Sequence, residues 1–226
     1  LPSGRVEYLP MTEYAGGENK VHLAKGILSG EEHTLKVRRK LVDGTWFKTS
    51  VPATHKPAFK IAKGTRLTIP GELPALWKDT SNLPDHYVII GGGKTAMDTG
   101  VWLLEAGVPA DKIGWVRPRD SWMFNRKLLQ PAYHEIEGLV QFQVDLVEAA
   151  NGAETGEEMF EELGRRGTML RLDESETPKM FHFAVISEGE VDLLRQIETV
   201  YRQGHVTKLE SGKMHFASET VGLPEN

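Results

Sequence analysis

Residues alternate in character over 34–42, where Leu35, Val37, Arg39 and Leu41 are separated by polar or charged positions. A two-residue period of this kind predicts a strand with one covered face. Similar patterning predicts a strand over 20–28, with Ser29-Gly30-Glu31-Glu32 as the turn between the two, and a short strand over 5–11. Asp43-Gly44 is a type I′ hairpin signal, and the β-branched and aromatic run from Thr45 to Val51 is its outgoing strand. Residues 20–51 therefore read as a three-stranded antiparallel meander, close to the lower limit for independent stability.

A different pattern begins at residue 86. Tyr87-Val88-Ile89-Ile90 is a continuous apolar run followed by Gly91-Gly92-Gly93 and a helical stretch to about Ala106, with Gly107 as its C-terminal stop. Such a run reads as a strand buried on both faces. Ile113 to Val116 is the second strand, ending at Arg117-Pro118-Arg119. Trp122-Met123-Phe124 is core or a pocket wall. Residues 154–166 carry acids early and Arg165-Arg166 late, matching a helix dipole, with Glu161/Arg165 and Glu162/Arg166 as i,i+4 pairs. Thr168 to Leu172 and Met180 to Ile186 read as strands. Ser187 to Glu190 is a capping box, followed by Val191, Leu194, Ile197 or Glu198, and Tyr201 at helical spacing up to Gly204. Val206 to Glu210, Ser211-Gly212 and Lys213 to Phe216 form a second hairpin. Residues 56–85 are proline-rich and without sustained period, apart from a short element near Leu73–Trp77.

The pattern predicts an α/β fold. Residues 86–226 read as one domain with a parallel sheet and a β-meander, expected to be a Rossmann-like NAD(P)-binding domain on the strength of its glycine turn. An antiparallel β segment over 1–60 precedes it, joined through a linker at 61–85.

The chemistry centres on the turn, which fits G-x-G-x-x-A with Gly91, Gly93 and Ala96 in the three key places. The first glycine permits the sharp turn, the second lets a pyrophosphate approach the backbone, and the alanine allows close helix–sheet packing. Gly92, Lys94 and Thr95 complete a cradle at the positive end of the helix dipole. Two alternatives stand beside this: a P-loop ending in Gly93-Lys94-Thr95, which lacks its glycine because position 88 is Val, and a ligand-free structural turn. Arg117 lies twenty-six positions after Gly91 and Arg119 follows it. Arginine at this strand tip suits a 2′-phosphate, favouring NADP(H) over NAD(H); the other reading is two solvated loop arginines. Asp120 could instead reach a ribose hydroxyl.

The composition is that of an ordinary globular chain: 226 residues, 39% hydrophobic, 26% charged, with a net charge of −5. That charge argues against a non-specific nucleic-acid partner. No apolar run is long enough to span a membrane, and a cytoplasmic location is the expectation. With no cysteine there is no thiolate metal site. His134 and Glu135 are adjacent and do not share a helical face; His182, His205 and His215 lack ligand spacing. No metal site and no catalytic acid–base pair is named.

The glycine turn, the linker and the two hairpins together resemble the two-dinucleotide-binding-domain flavoproteins, which include the flavin-containing monooxygenases and the pyridine-nucleotide disulfide oxidoreductases. Val51-Pro52-Ala53-Thr54-His55-Lys56-Pro57 resembles the A-T-G-x-x-P segment that follows the FAD-domain meander, with His55 in place of the glycine. Leu83-Pro84 through Gly93 resembles the family's approach to its second dinucleotide turn. The resemblance implies an FAD/NAD(P)H-dependent oxidoreductase of which this chain is a part. NADPH would be held at Gly91 to Ala96, Arg117 and Arg119, and FAD would belong to the whole protein. The N-terminal G-x-G-x-x-G of the FAD site is not in the sequence, so no flavin is expected on this chain alone. Its partners would be the missing FAD-domain segments, another chain, or a second copy in a homodimer. The alternative is a non-catalytic nucleotide-binding or regulatory module without flavin.

Overall fold

The computed structural model describes residues 6–44 and 51–224. The chain divides into two compact units, 1–50 and 51–226.

In the first unit, β1 (Thr12–Glu18), β2 (Val21–Gly26) and β3 (Glu32–Lys36) form an antiparallel meander in the order β1-β2-β3. The expected topology is present, but it is shifted toward the N-terminus. Residues 6–11 are not a strand; the first strand begins at Thr12. Its glycine pair disguised it, since Gly16 and Gly17 are poor strand formers that here accompany a register shift between Tyr14 and Gly16. The loop joining β1 to β2 is Asn19-Lys20, both at positive φ, the backbone that a tight hairpin requires. The strand expected over 34–42 runs instead from Glu32 to Lys36. Its ladder ends because its partner β2 turns away at Lys20, whose carbonyl accepts the last bond, from Val37. The outgoing strand expected at 45–51 falls on residues 45–50, which lie outside the described residues.

The second unit begins with β4 (Lys60–Ile61) and a short helix α1 (Leu73–Leu76). Then come β5 (Tyr87–Ile90), α2 (Lys94–Glu105) and β6 (Ile113–Val116). Helix α2 closes on a Schellman pair: Gly107 donates to Leu104 and Val108 to Leu103, both at 3.0 Å, with Gly107 in the left-handed region, as such stops require. A mixed layer follows: β7 (Ser121–Asn125), α3 (Ile136–Gly152), α4 (Gly156–Arg165), β8 (Met169–Leu170) and β9 (Met180–Ile186), with sheet order β8-β7-β9. Trp122 and Met123 are buried here, so this stretch is core. The chain then runs through α5 (Glu188–Leu194), β10 (Thr199–Tyr201), β11 (Lys208–Glu210), β12 (Lys213–His215) and β13 (Thr220–Gly222).

Strands β10, β6 and β5 form a parallel sheet in that order. Its two faces separate by residue parity. Ile89, Ile113 and Trp115 pack against Met97 and Leu103 of α2 and Val191 and Leu194 of α5. Val88, Ile90 and Val116 pack on the other face against Leu209, Met214 and Phe216. The second face is covered by a sheet of order β13-β12-β11-β4, antiparallel except for the β11–β4 pair. The protein is thus a mixed α/β structure with a parallel sheet between helices and a meander.

Three expectations are corrected here. Helix α5 ends at Leu194, and Tyr201 belongs to a strand paired with Val116. The helical spacing persisted past the helix because Ile197 also enters the core, while the β-branched run Thr199-Val200 takes the open edge of β6. The second hairpin does not stop at residue 216: β13 follows it as a third meander strand. Residues 51–85 belong to the second unit, and Lys60-Ile61 pairs with Lys208-Leu209, so this stretch is not a free linker.

Candidate functional site

The turn between β5 and α2 lies where the first parallel strand ends. Gly91 takes a φ of +132°, which L side chains rarely adopt. Both of its backbone groups are engaged: its N–H donates to the Val116 carbonyl at 3.0 Å, and its carbonyl accepts from the Trp115 indole at 2.7 Å. At Gly92 a Cβ would lie 2.9 Å from the Arg119 carbonyl oxygen; here the glycine permits the segment after β6 to approach. Gly93 differs from both. Its backbone is ordinary and extended, with φ −90° and ψ 176°, and a Cβ added there would meet nothing within 4 Å. Nothing in the described protein requires glycine at this position.

Gly93 is the N-cap of α2, and no side chain caps the helix. Its carbonyl accepts from Ala96 and Met97, so the helix is properly begun, while the N–H groups before Ala96 are left to solvent or a ligand. Ala96 is buried against the sheet. Thr95 is exposed. Lys94 does not reach into open space: its ammonium pairs with Asp98 and lies 3.3 Å from Glu190. Glu190 also caps Ser187 in the capping box and pairs with Arg126 at 3.1 Å, so α5 is tied to the start of α2.

The two arginines part company. Arg117 is 5% exposed, so it is not a solvated loop residue. Its Nε lies 2.8 Å from Asp120, although out of hydrogen-bond alignment. Its Nη2 lies 3.8 Å from Asp173, and its guanidinium sits 5.1 Å from the Trp115 ring centroid. Arg202 bridges the same two carboxylates, at 3.1 Å to Asp120 and 2.8 Å to Asp173. Burial pushes the Arg117 guanidinium below its ordinary value, against the opposing pull of Asp120. Burial likewise raises the Asp120 carboxyl, against Arg117 and Arg202. Asp120 is enclosed between two cations and does not stand free to meet a ribose. Arg119 is exposed; its one hydrogen bond among the described residues is a weak 3.5 Å contact from Nη1 to the Met180 sulfur. Of the two arginines after β6, it is the one whose charge is not paired with a carboxylate among the described residues.

The structure therefore brings together Gly91, Gly92, Gly93 and the backbone of Arg119 at one end of the parallel sheet, and turns Arg117 and Lys94 toward protein carboxylates. Sequence reasoning missed the Trp115 clamp and the Asp173–Arg202 pair. An indole two residues before the strand tip was the signal available for the first. The second lies at a sequence separation no local pattern spans. Among the described residues no group of three or more His, Cys, Asp or Glu side chains could hold a metal ion, and no helix is long and apolar enough to cross a membrane.

No protein-family model matches the chain, and no solved structure matches it. It is similar to uncharacterized proteins of Mycobacterium bovis and Mycobacterium tuberculosis, at 37% identity over 210 residues. The match covers 93% of this chain and 37% of each relative. The chain thus spans little more than a third of the length of the curated relatives it matches.

Proposed function

We propose that the chain binds a pyridine dinucleotide, NADP(H) by preference, as the nucleotide-binding part of a flavin-dependent oxidoreductase. The observation that carries this reading is Gly93. It is a glycine with ordinary dihedrals and open space where its Cβ would be, at the uncapped start of a helix that follows a parallel strand. A pyrophosphate approaching the backbone gives that glycine a purpose. The sheet order β10-β6-β5 supports the reading, being the 3-2-1 order of a mononucleotide-binding half. So does the meander on the opposite face.

In this reading the N–H groups of the turn hold the pyrophosphate, and Arg119 meets the 2′-phosphate. Arg117 stiffens the strand tip beneath it rather than touching the ligand. When bound, the nicotinamide supplies the hydride that passes to FAD, and FAD belongs to polypeptide beyond this chain. One observation favours plain NAD(H) as the rival: the carboxylates around Arg117 neutralise the buried cation at the tip. Calorimetric titration with NADPH and NADH decides between them. Tighter NADPH supports the assignment, tighter NADH transfers it to the rival, and no heat from either removes the dinucleotide reading.

A further inference from the structure

Helix α3 is apolar on two opposite sides. At about 3.6 residues per turn, its buried residues Phe142, Asp145 and Ala149 fall on one side. There Phe142 meets the Phe124 ring edge-on, and Ala149 packs with Leu163 and Met169. Ile136, Val140, Val144 and Val147 fall on the opposite side, within about 80° of one another. They are 52%, 57%, 40% and 68% exposed. Their near-fourfold spacing makes them one ridge of the helix, about 16 Å long at the usual rise per residue.

A helix face left in water is polar, and a helix apolar on all sides is a buried one. The β-branched character of the stripe strengthens the contrast. In a helix, Ile and Val lose χ1 freedom and are poorer formers than Leu, Glu or Lys. At an exposed position they gain neither propensity nor burial. Packing against a partner supplies the burial.

Charge selects the partner. Between Lys127 and Arg165 the sequence has no Lys or Arg and nine Asp or Glu. Glu137 and Glu148 rim the stripe beside Val144, and Gln143 and Ala150 rim it on the other side. Glu148 shares Arg166 with Glu162 and Asp145; Glu137 has no ion pair among the described residues. Helix α4, packed beside α3, exposes Glu157, Glu158 and Glu161. A second copy of α3 laid on this stripe would set acidic rim against acidic rim, with no cation on either helix to offset them. An anionic membrane surface would be repelled in the same way.

We propose that the outer face of α3 is a docking site for a basic amphipathic helix of a partner protein. The partner lays an apolar ridge along Ile136, Val140, Val144 and Val147 and sets Lys or Arg against Glu137 and Glu148. Apolar burial supplies the affinity, and the acidic rim supplies the selectivity. The inference does not depend on the dinucleotide reading, since α3 contributes no residue to the β5–α2 turn.

Fluorescence anisotropy with two labelled peptides of about 20 residues, a length that forms helix, tests it. Both peptides carry one leucine stripe; one is flanked by Lys and the other by Glu. The Lys-flanked peptide should bind this chain at least about tenfold more tightly than the Glu-flanked one, by a margin that shrinks as salt is added. Val140→Gln combined with Val144→Gln alters exposed positions alone. It should keep the parent's circular dichroism and melting, and weaken the Lys-flanked peptide at least about tenfold. Equal affinities for the two peptides, binding of neither, or full binding by the double variant would overturn the proposal. A dimer in light scattering that the double variant dissolves would give the stripe to a second copy and overturn it likewise. Shielding of the equivalent helix face in the whole Mycobacterium tuberculosis relative, read by carbene footprinting with no partner added, would place the cover within the polypeptide and overturn it too.

Discussion

The indole N–H of Trp115 donates to the carbonyl of Gly91 at 2.7 Å, and Trp115 is wholly buried. The second parallel strand thereby grips the turn that leaves the first. Replacing Trp115 by Phe keeps most of the apolar volume and leaves the Gly91 carbonyl unpaired. The expected cost is about 1–3 kcal/mol, seen as a lower urea midpoint, with weaker dinucleotide binding by the residual folded protein. An unchanged midpoint would show that the bond contributes nothing.

Neighbouring glycines should respond differently. Gly92→Ala places a Cβ 2.9 Å from a backbone oxygen and is expected to destabilise by about 1–3 kcal/mol, as overpacking does. Gly93→Ala meets nothing and should leave stability unchanged or raise it by about 0.5 kcal/mol. Gly93→Val should still fold, by circular dichroism, and lose dinucleotide binding in titration of the same sample. Full binding by Gly93→Val would make the turn purely structural.

The arginines separate stability from recognition. Arg117→Ala takes one of two cations from the buried Asp120 and leaves it Arg202 at 3.1 Å, at an expected cost of about 1–3 kcal/mol. Arg119→Ala should change stability by less than about 0.5 kcal/mol, weaken NADPH by at least about tenfold, equivalent to about 1.4 kcal/mol, and leave NADH unaltered. Denaturant melts and calorimetry on both variants check the pair of outcomes. Equal loss of both nucleotides in Arg119→Ala would remove the 2′-phosphate role.

An acid limb should trace to the meander. Lys208 and His215 hold the Glu210 carboxyl down to about 2 from an ordinary 4.5. Because the folded value is the lower one, the carboxylate's contribution is present above pH 4.5 and is lost as the pH falls through the folded value. In Glu210→Gln the melting temperature should fall less steeply over that window than in the parent, and should be lower than the parent at pH 7. Parallel curves would place the acid sensitivity in other carboxylates.

Local chemistry was enough for several elements. Tyr87 to Ile90, the glycine turn and the Gly107 stop are written in contiguous residues. So is the Ser187–Glu190 capping box, because caps and turns are decided within a few positions by dihedrals and near hydrogen bonds. The candidate phosphate cradle was legible for the same reason. Pairing was not. Thr199-Val200-Tyr201 continued a helical spacing, and only the open side of β6 made it a strand. Strand β1 hid behind Gly16-Gly17, and β3 stopped where β2 ran out. The division of labour between Arg117 and Arg119 was equally invisible. Two residues apart, they have similar local surroundings in sequence. Asp173 and Arg202, brought in by folding, bury one beside carboxylates and leave the other in solvent. The turn and its backbone geometry are written in neighbouring residues; which charge stays free to serve it follows from the fold, because charge pairing depends on distance in space and not along the chain.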